Sequence, residues 1–246
     1  ISDCIIENNY ANDQGGAVYI RSSSNVNLSN VILQNNLANR GGAILITEGS
    51  DLLIDNSVLL NNQTHDDYNG GSNPNSGGAI YSVESQIIIS NSSVTGNSAT
   101  ADGAGIYVNE SSMNLYSIDI NDNNSISEGH GGGCSIWNTS DVTISHSNIN
   151  NNSNGTGGGI YSFNSSLNIE YSSITRNYAE GDGGGITISQ SGNASTLLLS
   201  SSTLHDNTAN TIPQSNGVKL GGDNAIATIN NSIIWEKVLG DNFTIT

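Results

Sequence analysis

Apolar residues in this chain recur in short alternating pairs, never in long runs. Val26/Leu28, Leu52/Ile54, Ile87/Ile89, Met113/Leu115, Val142/Ile144, Leu167/Ile169 and Leu197/Leu199 each flank one polar residue. That is the period of a strand with one buried face. Ahead of each pair stands a glycine-rich tetrad, seen as Gly15-Gly16-Ala17-Val18, Gly41-Gly42-Ala43-Ile44, Gly77-Gly78-Ala79-Ile80 and Gly157-Gly158-Gly159-Ile160. Further copies begin at Gly103, Gly131 and Gly183, and a worn one is Asn216-Gly217-Val218-Lys219-Leu220. The third residues stand at 17, 43, 79, 105, 133, 159, 185 and 217, so most steps are 26 to 28 residues. Behind each pair comes an apolar-x-x-Asn segment: Ile5 to Asn8, Ile32 to Asn35, Val58 to Asn61, Val94 to Asn97, Ile118 to Asn121, Ile149 to Asn152, Ile174 to Asn177 and Leu204 to Asn207.

A fixed period of this size marks a solenoid, whose repeats bury their apolar faces against their neighbours. Each repeat reads as three short strands and three corners. Asn, Ser, Gly and β-branched residues oppose helix. A leucine-rich repeat is the alternative of similar period, but it needs a Leu-x-x-Leu-x-Leu run that is missing here. The expectation is an all-β, right-handed parallel β-helix of about eight coils, some 38 Å long at ~4.8 Å per coil. It forms a single domain over 1–246, read as a piece of a longer chain, with a loop insertion at 65–76. The glycines suit tight corners and close coils. The asparagines suit left-handed corners and a ladder of amides from coil to coil.

Composition sharpens this picture. There are 29 Gly, 2 Pro and only 5 Lys plus Arg against 22 Asp plus Glu, a formal charge of −17. With so few cations, binding to a nucleic-acid backbone is not expected. No apolar run is long enough to span a bilayer, and no leader peptide is read at Ile1. Cys4 and Cys134 lie about five repeats apart, beyond disulfide reach, and read as free thiols.

The Gly-Gly-Ala-Ile tetrads alternating with apolar-x-x-Asn segments resemble the polymorphic outer membrane protein repeats of chlamydiae and related bacterial surface β-helix proteins. Here Ile, Val or Leu stands where that family has Phe. The resemblance implies an extracellular or cell-surface passenger domain that adheres to a glycan or protein partner.

Strand alternation turns Tyr19, Tyr81, Tyr107 and Tyr161 outward in one column, the candidate ligand-binding surface. Acidic residues gather before the glycines (Asp13, Asp102, Glu128, Glu180, Asp182), and the insertion adds Asp66 and Asp67. Asp66, Asp67, Asp102 and Asp182 are the candidate ligands for Ca2+, the one cofactor expected, because calcium takes loop carboxylates. His65, His130, His146 and His205 fall at different phases of the repeat. No catalytic residues are assigned. The rival reading is a polysaccharide lyase or glycoside hydrolase, which would need paired outward carboxylates.

Overall fold

In a computed structural model, residues 1–65, 75–125, 127, 129–211, 215–240 and 242–245 are described. Every regular element among them is a β-strand, and every pairing is parallel. The chain winds into a solenoid whose successive coils stack in register over three sheets of nine, seventeen and seven strands.

One coil shows the plan. After Gly157–Gly159 comes Ile160–Phe163 on the nine-stranded sheet. Ser166–Glu170 and Ser173–Thr175 follow on the seventeen-stranded sheet. The coil closes with Tyr178–Ala179 on the seven-stranded sheet. The three expected strands are present, and the structure adds this fourth, two-residue strand in each coil from Leu37–Ala38 to Thr208–Ala209. Its inward residue is Ala38, Ala99, Ala179 or Ala209 in four coils and Thr64, Ser125 or Asn154 in the others, buried in each. A strand with only one apolar position carries no alternation to read.

The expected apolar pairs form one interior column: Leu52, Ile87, Met113, Val142, Leu167 and Leu197 stack in register and are buried. Each such side chain contributes roughly 1.5–3 kcal/mol by leaving water. Cys134 stacks between Ile106 and Ile160, and burial pushes its thiol pKa up to about 12. Cys4 is half-buried, and both thiols are free.

The third column differs from its expected register. Its inward residues are Ile6, Leu33, Leu59, Val94, Ile120, Ile149, Ile174 and Leu204. Ile5 is therefore exposed, Ile32 and Val58 half-buried, and Ile118 sits at a corner. The asparagine ladder moves with it. Its members are Asn36, Asn62, Asn97, Asn123, Asn152, Asn177 and Asn207, not Asn35, Asn61 and Asn121. Asn9 enters from the first coil in place of Asn8.

Asn8, Asn35, Asn61 and Asn151 instead hold the left-handed backbone angle (φ 57°, 55°, 53° and 56°) one residue before the ladder. Two roles assigned to one residue thus fall on neighbours. The first turns the chain, and the second sends its amide inward. At Asn97 every amide valence is used. Nδ2 donates to Leu59 O and Asn123 Oδ1, each at 3.0 Å. Oδ1 accepts from Asn62 N at 2.8 Å and Asn62 Nδ2 at 3.0 Å. A serine column does the same at the preceding corner, where Ser147 N donates to Ser172 Oγ and Ser172 N to Ser202 Oγ, both at 3.1 Å.

Glu236 takes the ladder position after Asn207 and accepts from both its backbone N–H and its Nδ2. Burial raises the Glu236 carboxyl above its ordinary 4.5, while the Asn207 donors pull it down. The folded chain therefore holds this proton to higher pH than the unfolded chain. Stability of the last coil falls as pH rises from 4.5 through the folded pKa, then levels off. Glu236→Gln, which keeps an acceptor without the charge, is expected to abolish this dependence. The protection factor of the Asn207 amide, followed from mildly acidic to neutral pH, checks it.

The insertion expected at 65–76 leaves stacking undisturbed, since Ile44 and Leu45 pair in register with Ile80 and Tyr81 across it. Residues 66–74, with Asp66 and Asp67, lie outside the described residues.

Candidate functional site

The outward column of the nine-stranded sheet reads Tyr19, Leu45, Tyr81, Tyr107, Ser135, Tyr161, Thr187 and Lys219, as alternation predicts. Its rings are not a bare platform. Tyr81 and Tyr107 are 8% exposed and Tyr161 6%, while Tyr19 alone stays open at 41%.

The cover comes from neighbours. Tyr81 stacks on Tyr107 with centroids 4.7 Å apart and planes 15° from parallel. One coil on, Ser135 would interrupt the column. Trp137, two residues later on the same face, folds back and donates Nε1–H to Ser135 Oγ at 2.7 Å. Its ring then lies 5.3 Å from Tyr161 and 5.1 Å from Phe163. His130 completes the patch, 4.4 Å from the Tyr161 ring and edge-on to Trp137 at 5.5 Å. At the other end the Arg40 guanidinium lies 6.0 Å from the Tyr81 ring and pairs with Asp13 at 2.8 Å. Cation–π contact of this kind favours a protonated partner on an electron-rich face.

Asp102 organises the corner beside the column. Its Oδ1 accepts from the His130 backbone N–H at 2.8 Å and meets His130 Nδ1 at 2.9 Å. Burial raises the pKa of Tyr81, Tyr107 and Tyr161, and the nearby Asp102 charge acts in the same direction on all three. The phenols therefore stay protonated at neutral pH and can donate hydrogen bonds. They are unsuited to act as bases.

Asp182 stands in the equivalent corner three coils away, about 14 Å along the rod. Its Oδ1 accepts from Thr211 Oγ1 at 2.6 Å and Ser215 Oγ at 3.3 Å, with Lys219 Nζ 3.9 Å from Oδ2. Asp102 and Asp182 thus staple separate corners and do not share one site. Glu128 lies outside the described residues, and no three His, Cys, Asp or Glu side chains converge among those described.

Sequence reasoning missed Arg40, His130 and Trp137. A signal existed for the first two. The residue before the first glycine reads Gln14, Arg40, Ser76, Asp102, His130, Thr156 and Asp182, one phase in successive coils. Bridges pair Gln14 with Arg40 and His130 with Thr156. Asp102 and His130 are therefore neighbours by phase. For Trp137 the signal was weaker: it shares the face of Ser135, but its fold-back depends on the void that Ser135 leaves.

A protein-family model described as right handed beta helix region matches residues 1–121 and 72–234. No curated protein and no solved structure matches the chain. No helix among the described residues is long and apolar enough to cross a membrane.

Proposed function

Because this chain belongs to the right-handed β-helix family, we propose that it is a non-catalytic binding module, an adhesin-like rod of the cell surface or secreted space. The scaffold by itself does not decide, since β-helices carry both binding and polysaccharide-degrading functions. One observation carries the reading. The aromatic column of Tyr81, Tyr107, Trp137 and Tyr161, edged by Arg40 and by a His130 imidazole held by Asp102, offers stacking faces and hydrogen-bond donors. Trp137 and His130 keep part of their surface open and are the groups that reach a partner. Aromatic and arginine groups of this kind anchor interfaces. The likeness of the repeats to chlamydial surface passengers supports the adhesin reading, and the acidic surface repels nucleic acid and anionic lipid.

The test is a glycan-array screen run beside a reducing-end release assay on neutral and acidic polysaccharides. Binding without release is expected, and Trp137→Ala or His130→Ala should weaken it about tenfold, a loss of ~1.4 kcal/mol. Tyr171→Ala, on a different corner, should leave it unchanged. Release of reducing ends by the pure protein would overturn the non-catalytic reading.

A further inference from the structure

On the seventeen-stranded sheet, the corner between the two strands of each coil turns on one residue in the left-handed region. Most coils place a small polar residue there, Asn30, Asn56, Asn91, Ser117 and Ser201 among them. Such residues tolerate that backbone angle, whereas a bulky side chain gains nothing from it. Two consecutive coils nevertheless put rings at this phase, His146 at φ 53° and Tyr171 at φ 48°. Backbone bonds from His146 N to Glu170 O and from Tyr171 N to Ser200 O, both 3.2 Å, keep the corners stacked.

The rings form a ladder that stops one rung short. Tyr171 stacks on His146 with centroids 5.1 Å apart and planes 28° from parallel. Tyr116, from the coil before, leans on His146 at 5.2 Å. These spacings are close to the ~4.8 Å rise per coil, so the rings lie across the rod. The far face of Tyr171 therefore looks along the rod to the next coil, where this phase holds Ser201, too small to continue the ladder. Trp137 closes a similar gap over Ser135, but among the described residues no ring or guanidinium covers the far face of Tyr171. What remains is a shallow hollow lined by His146, Asn148, Tyr171, Ser173, Ser201 and Thr203. Tyr171 is 58% exposed at its edge.

We propose that this hollow takes the guanidinium of an arginine carried by a basic partner protein, stacked on Tyr171 as the absent rung. A flat cation matches a flat, electron-rich face. Its N–H edge needs acceptors, and the Ser173 and Thr203 hydroxyls line the hollow. Asn148 Nδ2 donates to Asp119 Oδ1 at 2.8 Å, which leaves Asn148 Oδ1 as a further acceptor. Charge favours the same occupant. Glu170 stands outward beside Tyr171, in register with Ser200, and neither Lys nor Arg lines the hollow. A formal charge of −17 draws a basic partner to the rod. This surface lies on a different sheet from the column of Tyr81, Tyr107 and Tyr161, and the inference stands apart from the reading above.

Titration of the whole chain with acetyl-Gly-Arg-Gly-amide, followed by the amide NMR shifts of residues 171–173 and 201–203, tests the proposal. The same peptide with lysine or citrulline in place of arginine is the comparison. The arginine peptide should bind in the roughly millimolar range. The other two should bind at least about fivefold more weakly, since lysine lacks the plane and citrulline the charge. Tyr171→Asn installs the residue that other coils use at this angle, so it should abolish binding with the melting midpoint unchanged or higher. Ser201→Tyr supplies the missing rung and should abolish binding with Tyr171 still in place. Glu170→Gln should weaken it about threefold. The proposal is overturned if the arginine peptide does not bind, if the citrulline peptide binds as tightly, or if Tyr171→Asn or Ser201→Tyr binds as well as the unaltered chain. Displacement of the peptide by methyl β-glucopyranoside would assign the hollow to sugars and defeat the cation reading. Loss of peptide binding in Tyr171→Ala with array binding intact would confirm that the two surfaces are separate, and reducing-end release would bear on the other surface alone.

Discussion

Asn152→Ala is expected to lower the stability of the rod by about 3–9 kcal/mol, because three buried polar groups each lose a hydrogen bond at about 1–3 kcal/mol. Asn152 Oδ1 now accepts from Asn123 N at 3.1 Å and Asn123 Nδ2 at 2.9 Å. Its Nδ2 donates to Ile120 O at 3.0 Å and to Asn177 Oδ1 at 2.9 Å. After truncation, Asn177 Oδ1 keeps the backbone N–H of residue 152 and Asn123 Nδ2 keeps Val94 O, but the Asn123 backbone N–H, one Asn123 Nδ2–H and the Ile120 carbonyl each lose the bond to the Asn152 amide. The site is fully buried, so water cannot stand in without opening the coil. A solenoid is held by nearest-neighbour interfaces, so the loss weakens one junction in mid-rod and invites the halves to unfold separately. Urea unfolding with hydrogen exchange at the Asn123 amide measures it. Asn151→Gly is the control: it holds φ 56° and points its amide outward, and should shift stability by no more than about 0.5 kcal/mol. Equal losses at the two positions would mean that the ladder amides carry no special share of the stability.

Gly157→Ala should cost about 3 kcal/mol or more. The residue holds φ +66°, and an added Cβ would stand 2.5 Å from Ile160 O and 2.9 Å from Ile160 C. Left-handed strain accounts for roughly 1–2 kcal/mol. Crowding against the backbone of its own strand adds about 1–3 kcal/mol, because no flexible side chain is there to yield. Chain comparison within the molecule supports the position. The first glycine of the tetrad recurs at 15, 41, 77, 103, 131, 157 and 183, always at positive φ. The second position admits Ala104, and the third admits Ala17, Ala43 and Ala79. Gly159→Ala, at that third position, should therefore cost less than Gly157→Ala. Thermal melting of the two variants side by side settles the order, and a larger loss for Gly159→Ala would refute the corner argument.

The period, the parallel stacking and two of the interior columns were legible in the sequence alone. Apolar pairs such as Ile87/Ile89 and Val142/Ile144 admit only one inward face, and glycines 26 residues apart admit only one coil length. The third column was not legible, because the chain doubles its own signal there. Ile5-Ile6-Glu7-Asn8-Asn9 and Ile32-Leu33-Gln34-Asn35-Asn36 fit apolar-x-x-Asn in two frames. A shift of one residue turns every side chain to the opposite face. Only the closed coil selects the later frame, since the left-handed residue must come first for the next amide to turn inward and meet the amides of the coils above and below. The candidate surface divides in the same way. Alternation placed Tyr81, Tyr107 and Tyr161 on one outward column. Their burial, the fold-back of Trp137 over Ser135 and the meeting of His130 with Asp102 depend on contacts between coils. Residues a full turn apart in sequence become neighbours about 4.8 Å apart in space.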